Sequence, residues 1–327
     1  MPLNVAIIGC GLIGSKRARS LGGSQLAVCC DLDAARAEAL AAAHPGAEPV
    51  ADWRTAAAGS GIDIVLVATT HDMLAPIAAE AARAGKHVLI EKPGARRAGE
   101  LDAVTDAARD SGALVRIGFN HRYHRAFRKA REIFDAGAIG PLLFIRSRYG
   151  HGGRPGYDRE WRADPAISGG GELVDQGAHL IDLARWFLGD FARVRGRTPT
   201  LFWNMAVEDN AFLLLETAAG QVAFLHASWT EWKNLFSFEI CGRTGKLEIS
   251  GLGGSYGTER LTLYQMLPEM GPPETTAWEF PMADDSWDAE FADFLEDIRL
   301  GRQPRPGISD AQAALRIAEQ VYRESAR

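Results

Sequence analysis

The chain has 327 residues, 46% of them hydrophobic and 24% charged, with a formal net charge of −6. That length exceeds one ordinary core and implies two packed units. No run approaches the roughly 20 apolar residues of a membrane helix, and net negative charge offers no global attraction to phosphate backbones, which sets aside membrane-spanning and nucleic-acid-binding proteins.

The N-terminus enters an apolar run at once, with neither a basic start nor a small-residue cleavage site, so a cytoplasmic location is expected. From residue 1 to about 120, short β-rich runs at 5–8, 26–30, 62–68, 87–90 and 114–118 alternate with alanine-rich segments. Each run is nearly continuous in apolar residues, as suits strands covered on both faces, and the segments between them are long enough for crossover helices. This rhythm predicts a Rossmann fold, a doubly wound parallel sheet, over residues 1–120. After about residue 150 the runs alternate, as where Phe236, Phe238 and Ile240 share one face. Runs at 211–216, 222–229, 235–240, 245–250 and 260–265 predict a large, mostly antiparallel open sheet in an α+β domain over 121–327. Two helices are expected to close the chain, the first N-capped by Ser286, presenting Trp287, Phe291, Phe294, Leu295 and Ile298, and stopped by Gly301. Cys10, Cys29, Cys30 and Cys241 form no CxxC pair and read as buried free thiols rather than a disulfide framework or zinc site.

Gly9-Cys10-Gly11-Leu12-Ile13-Gly14 follows the first strand and opens a helix, the context that a dinucleotide fingerprint requires. Gly9 permits the tight turn, Gly11 lets the backbone approach a pyrophosphate, Gly14 lets helix pack on strand, and the helix N-terminus offers amide hydrogens to phosphate. Asp31 ends the second strand about 20 residues on, where a carboxylate accepts ribose hydroxyls. Its charge repels a 2′-phosphate and Leu32-Asp33 supply no cation, so NAD is favoured over NADP. The other reading of Asp31 is a cap for the helix that follows, a role Asp33 fills more naturally.

Further on stand Ala68-Thr69-Thr70, then Gly85-Lys86-His87-Val88-Leu89-Ile90-Glu91-Lys92-Pro93, and later Gly169-Gly170-Gly171-Glu172-Leu173-Val174-Asp175-Gln176-Gly177-Ala178-His179. With the glycine turn, these motifs at this spacing resemble the Gfo/Idh/MocA oxidoreductases over essentially the whole chain. The resemblance implies oxidation or reduction of a carbinol carbon on a sugar, inositol or related polyol, with Lys92, Asp175 and His179 catalytic and no metal. It also implies a cofactor set of Gly9, Gly11, Leu12, Ile13, Gly14, Asp31, Leu32, Thr69, Thr70, His71, Glu91, Lys92 and Asn120, and a dimer or tetramer. The chain departs from the family where Pro and Asn usually follow the Ala-Thr pair. It has Thr70, His71 and Asp72 there, with His71 or Asp72 a candidate neighbour of the nicotinamide ribose.

The chemistry calls for these residue types independently. Removing hydride from a C–H bond must be matched by taking the proton of the attached hydroxyl. His179 titrates in the right range, Lys92 can stabilise a developing alkoxide, and Pro93 holds Lys92 extended. Asp175 and His179, if helical, are i and i+4 and share a face. Alternatively Lys92 is a surface lysine and Asp175 with His179 a helix-surface pair, or Asp175, His179 and Asp182 are metal ligands.

Cations concentrate between Arg116 and Arg162, and a polar, aromatic run precedes the catalytic motif: Arg146, Arg148, Tyr149, His151, Arg154, Tyr157, Arg159, Trp161 and Arg162. The substrate set is expected to be Lys92, Arg122, Tyr149, His151, Arg154, Tyr157, Trp161, Arg162, Asp175 and His179, with Asn120 to Tyr123 at the domain cleft. Arginine forks suit phosphate or carboxylate, which points to a sugar nucleotide, sugar phosphate or uronate. The alternatives are a neutral sugar or inositol, with the arginines paired to Asp158, Glu160 and Asp164, or a catalytically silent NAD-binding regulator. His121, His124 and His151 are a further possible metal group.

Overall fold

The computed structural model describes residues 2–325. Its first compact unit comprises residues 2–119, 166–169 and 287–315. Six parallel strands lie in the order β3-β2-β1-β4-β5-β6: β1 (Asn4–Ile8), β2 (Gln25–Cys30), β3 (Glu48–Val50), β4 (Ile64–Val67), β5 (His87–Glu91) and β6 (Val115–Gly118). β4 is buried at every residue, as expected of a strand between two helical layers. The helices are α1 (Leu12–Arg19), α2 (Ala34–Ala42), α3 (Trp53–Ala58), α4 (His71–Arg83) and α5 (Asp102–Ser111). Strand order reverses between β1 and β4, and the loops leaving their carboxyl ends are where ligands bind in this architecture. Sequence reading missed β3, an edge strand of three residues containing Pro49, which lacks an N–H to donate.

The first unit reclaims part of the chain that the reading assigned to the second domain. α10 (Ser286–Leu300) places Phe291 and Phe294 in one core with Val5, Ile7, Cys29, Leu66 and Leu89. Arg17 stacks on Trp287 with 4.4 Å from its guanidinium carbon to the ring centroid. A short α7 (Pro165–Ser168) supplies the 166–169 segment.

The second unit comprises residues 120–165, 170–286 and 316–325. Its eight strands run β14-β13-β12-β11-β7-β10-β9-β8: β7 (Leu142–Gly150), β8 (Phe191–Arg197), β9 (Asn210–Thr217), β10 (Val222–Ser228), β11 (Leu235–Gly242), β12 (Gly245–Ser250), β13 (Glu259–Gln265) and β14 (Glu274–Phe280). Only the β7–β10 pair is parallel. α6 (Arg125–Asp135) packs on β12 and β13, while α9 (Gly177–Leu188) packs on β7 and β10. Phe127 meets Phe236 and Phe238 edge-on at 5.8 and 5.3 Å. α8 (Glu172–Asp175) precedes α9, and α11 (Ile308–Ser325) ends the description.

β7 carries the start of the polar, aromatic run singled out in the sequence. Ile145, Ser147 and Tyr149 face inward, whereas Phe144, Arg146 and Arg148 occupy the exposed outer face. Trp229 is fully buried with Tyr157 and Val207. All four cysteines are free and buried. Among the described residues no helix is long and apolar enough to cross a membrane.

Candidate active site

In the first unit the glycine turn separates two kinds of glycine. Gly9 has φ +98°, and a Cβ there would stand 2.4 Å from the Ala68 carbonyl oxygen. A Cβ on Gly14 would fall 1.9 Å from the Gly9 carbonyl oxygen. The fold itself requires both. Gly11 has no atom within 4 Å of that position, so the protein leaves open the side from which a ligand approaches. Gly11 starts α1 without a side-chain cap, and the first-turn amides have no intrahelical acceptors.

Asp31 Oδ2 accepts the Cys10 N–H at 2.7 Å and Oδ1 accepts the Asp33 N–H at 2.9 Å. The carboxylate is thereby fixed beside the glycine turn, and each oxygen keeps a lone pair for a ribose hydroxyl. Asp33 caps α2 through the Ala35 N–H at 3.1 Å, which settles the capping alternative. Leu12 and Leu32 expose 76% and 95% of their surface on either side of this arrangement. Open backbone, amide donors and acidic ribose acceptor together fit a dinucleotide.

Other expected cofactor residues are engaged within the protein. Thr70 precedes α4 and donates its hydroxyl to Asp72 at 2.6 Å, while Thr69 donates to the Thr70 carbonyl at 3.2 Å. His71 is buried, with Nδ1 2.8 Å from the Ser168 carbonyl. Glu91 turns its carboxylate to Arg17, at 2.6 Å, and Arg17 also meets Glu290 at 2.6 Å. Burial, and Glu91 close by, push the Glu290 carboxyl up to about 7. Lys92 is half-buried at the carboxyl end of β5, and its peptide bond to Pro93 is cis.

The second unit holds the other motif. A Cβ on Gly170 would sit 2.1 Å from the Tyr322 hydroxyl, and one on Gly171 would sit 2.0 Å from the Glu208 carbonyl. The Glu208 carboxylate accepts the Gly171 and Leu173 N–H groups, each at 3.0 Å, and the Tyr322 hydroxyl at 2.6 Å. Glu208 thus fixes the segment bearing Asp175 and His179. Sequence reading missed it, because a lone glutamate before a strand does not announce partners more than 30 residues away.

Asp175 and His179 do not share one continuous helix. The chain breaks at Gln176 between α8 and α9, and both side chains are buried. Asp175 Oδ2 accepts Arg162 Nε–H at 3.1 Å. Burial opposes the Arg162 charge, yet Asp175 holds it protonated above the ordinary range. The Asp175 charge also acts on Tyr149, His151 and Tyr157, three of the expected substrate residues. Burial raises both tyrosines and lowers His151. The His179 ring lies on that of His121, centroids 3.6 Å apart and planes inclined by 16°.

Several expected substrate or cofactor groups are committed to internal bonds. Arg122 is buried and bidentate to Asp182, at 2.8 and 2.6 Å. Arg154 pairs with Glu160 at 2.6 Å, and Arg162 stacks on Trp161 at 4.5 Å. Asn120 donates to Ser286 Oγ at 2.9 Å, and its Oδ1 lies 3.2 Å from His121 Nδ1. His124 Nδ1 lies 2.9 Å from Glu259. Among the described residues no three His, Cys, Asp or Glu are placed to hold a metal ion.

Two family models match: the oxidoreductase family, NAD-binding Rossmann fold, over residues 3–119, and the GFO/IDH/MocA C-terminal domain over 127–248. Inositol 2-dehydrogenase of Cereibacter sphaeroides is 30% identical over 98% of this chain and 92% of its own. Levoglucosan dehydrogenase of Pseudarthrobacter phenanthrenivorans is 34% identical over 52% of this chain, a match spanning only 44% of that protein. A structure of levoglucosan dehydrogenase in complex with NADH and levoglucosan superposes with a TM-score of 0.90, at 24% identity, covering 100% of this chain and 97% of that one. The chain belongs to the Gfo/Idh/MocA family of NAD-binding oxidoreductases.

Proposed function

We propose that this protein is an NAD-dependent dehydrogenase that oxidises a secondary hydroxyl of a neutral sugar or cyclic polyol. One observation carries the choice of substrate class: the three arginines of the expected substrate set are already matched by carboxylates. Arg122 answers Asp182, Arg154 answers Glu160, and Arg162 answers Asp175 and, at 3.7 Å, Glu160. Drawing one of them to a phosphate or uronate would strand its partner, a cost of several kcal/mol where the pair is buried. The names of the inositol and levoglucosan relatives, both neutral polyhydroxylated rings, support the same class.

When bound, NAD supplies the acceptor for the electron pair of the carbinol C–H bond. The glycine turn and Asp31 hold its pyrophosphate and ribose. Lys92 donates a hydrogen bond to the carbinol oxygen and stabilises negative charge growing there. His179 takes the hydroxyl proton, and Asp175, paired with Arg162, stabilises the resulting imidazolium. NADH formation, followed by absorbance with neutral cyclic polyols and with their phosphorylated or uronate counterparts, tests the substrate class. The neutral compounds should give the higher kcat/KM. Turnover confined to the anionic set would overturn the assignment, and NAD binding without turnover of any sugar would favour a silent regulator.

A further inference from the structure

We propose that His121 is a positioning residue for the proton-transfer step, acting through its stack on His179 and only while its own ring is neutral. This inference rests on His179 being the base.

Two imidazoles stacked at 3.6 Å with nearly parallel planes are electrostatically coupled. When His179 takes the carbinol proton it becomes a cation over the face of its neighbour. A neutral π-face attracts that cation most strongly where water is excluded, and both rings are buried. A protonated His121 would instead place a like charge against it, so the pair carries one proton readily and a second with difficulty. The acid limb of the rate profile then belongs to the pair.

The His121 ring is enclosed by aromatic rings and by charges that are largely paired. Asn120 donates through Nδ2 to Ser286, leaving Oδ1 to accept the His121 Nδ1–H, which assigns the tautomer. The ring also packs against Tyr149, centroids 5.4 Å apart, and against Phe236 at 6.3 Å. His124 meets it edge-on at 5.4 Å, and that imidazole is turned to Glu259, with Asp284 at 3.8 Å. Nearby charges on α8 and α9 are matched: Asp175 by Arg162 and Asp182 by Arg122. Tyr149 is held protonated by burial, and Glu172 adds a buried carboxyl on α8. The His121 ring is therefore the aromatic face against which charge on His179 develops.

The test compares His121→Ala, His121→Phe and His179→Ala in the full-length protein, each measured for kcat, KM and the pH dependence of kcat/KM. Removing the face in His121→Ala should lower kcat about tenfold and displace the acid limb, with the NAD dissociation constant unchanged. His121→Phe restores an aromatic face that cannot titrate, so it should recover most of the loss and give an acid limb with a single ionisation. Wild-type kcat and pH profile in His121→Ala would overturn the proposal, as would a His121→Phe variant no better than His121→Ala despite an unchanged melting temperature. His179→Ala separates the two levels of the argument: if it retains wild-type turnover, the base itself is misassigned, whatever His121 does.

Discussion

Gly11 and Gly14 belong to one motif, yet the structure assigns their lack of a side chain to different causes, and replacing each by alanine separates them. At Gly14 the added methyl would lie 1.9 Å from the Gly9 carbonyl oxygen, where real contacts do not fall below 3.0 Å, so the turn must open by about 1 Å. Overpacking of this kind costs about 1–3 kcal/mol. At Gly11 no atom lies within 4 Å, and φ −71°, ψ −161° is extended backbone that alanine adopts without strain. Gly11→Ala should leave the apoprotein as stable or raise its stability by about 0.4–1 kcal/mol, through a less flexible unfolded chain. Its methyl nevertheless stands where the pyrophosphate must approach. Losing one or two hydrogen bonds to a charged group, at about 1.5–3 kcal/mol each, predicts NAD binding weaker by about 10- to 100-fold or more. Thermal unfolding of both apoproteins and calorimetric titration with NAD give the two readouts. Wild-type NAD affinity in Gly11→Ala, or equal loss of stability in both variants, would refute the reasoning.

Asp31→Asn keeps an acceptor for the Cys10 or Asp33 amide and removes the charge, so parallel fluorescence titrations should show NADP gaining on NAD; an unchanged ratio would remove Asp31 from the ribose. Glu290 bears on stability against pH. Its folded value of about 7 lies above the ordinary 4.5, so its contribution is complete below 4.5 and is lost as pH rises through 7, on the order of 3 kcal/mol at about 1.4 kcal/mol per unit. Glu290→Gln, which stays neutral, should flatten the fall in melting temperature between pH 5 and 8, and a slope identical to wild type would contradict this. We further propose self-association across the outer sheet face, where Phe144, Leu214 and Phe224 are 39–48% exposed beside the stacked Phe212 and His226. Phe224→Asp should shift sedimentation toward a smaller species, whereas a monomeric wild type at micromolar concentration would end the proposal.

What could be read from the chain divides along the range of the interactions involved. Local signals worked: continuous apolar runs marked the parallel strands, and Asp33 was recognised as the better cap because the amide it accepts from lies two residues away. Long-range pairing was invisible. Arg122 and Asp182 lie 60 residues apart, and nothing in the local composition distinguishes an arginine awaiting a phosphate from one already holding a carboxylate. The same blindness hid Glu208, whose amide partners precede it by 37 and 35 residues, and Arg17, a basic residue on a helix that lies fully buried between two glutamates. β7 was absent from the expected strands for a different reason: its arginines alternate with inward-facing residues, which is a half-buried strand pattern, but the chemistry of the run suggested a ligand first. The Asp175–His179 spacing suggested one helix, whereas regular helical bonding is interrupted at Gln176, where the His179 N–H bonds to the Gln176 carbonyl.

The central claim concerns which groups handle the carbinol proton, and single-turnover formation of NADH by His179→Ala saturated with NAD and substrate tests it most directly. The claim predicts a rate lower by about 10² to 10⁴, the usual contribution of a positioned base, while NAD affinity stays unchanged because the glycine turn is untouched. A rate near that of the wild-type protein would contradict it.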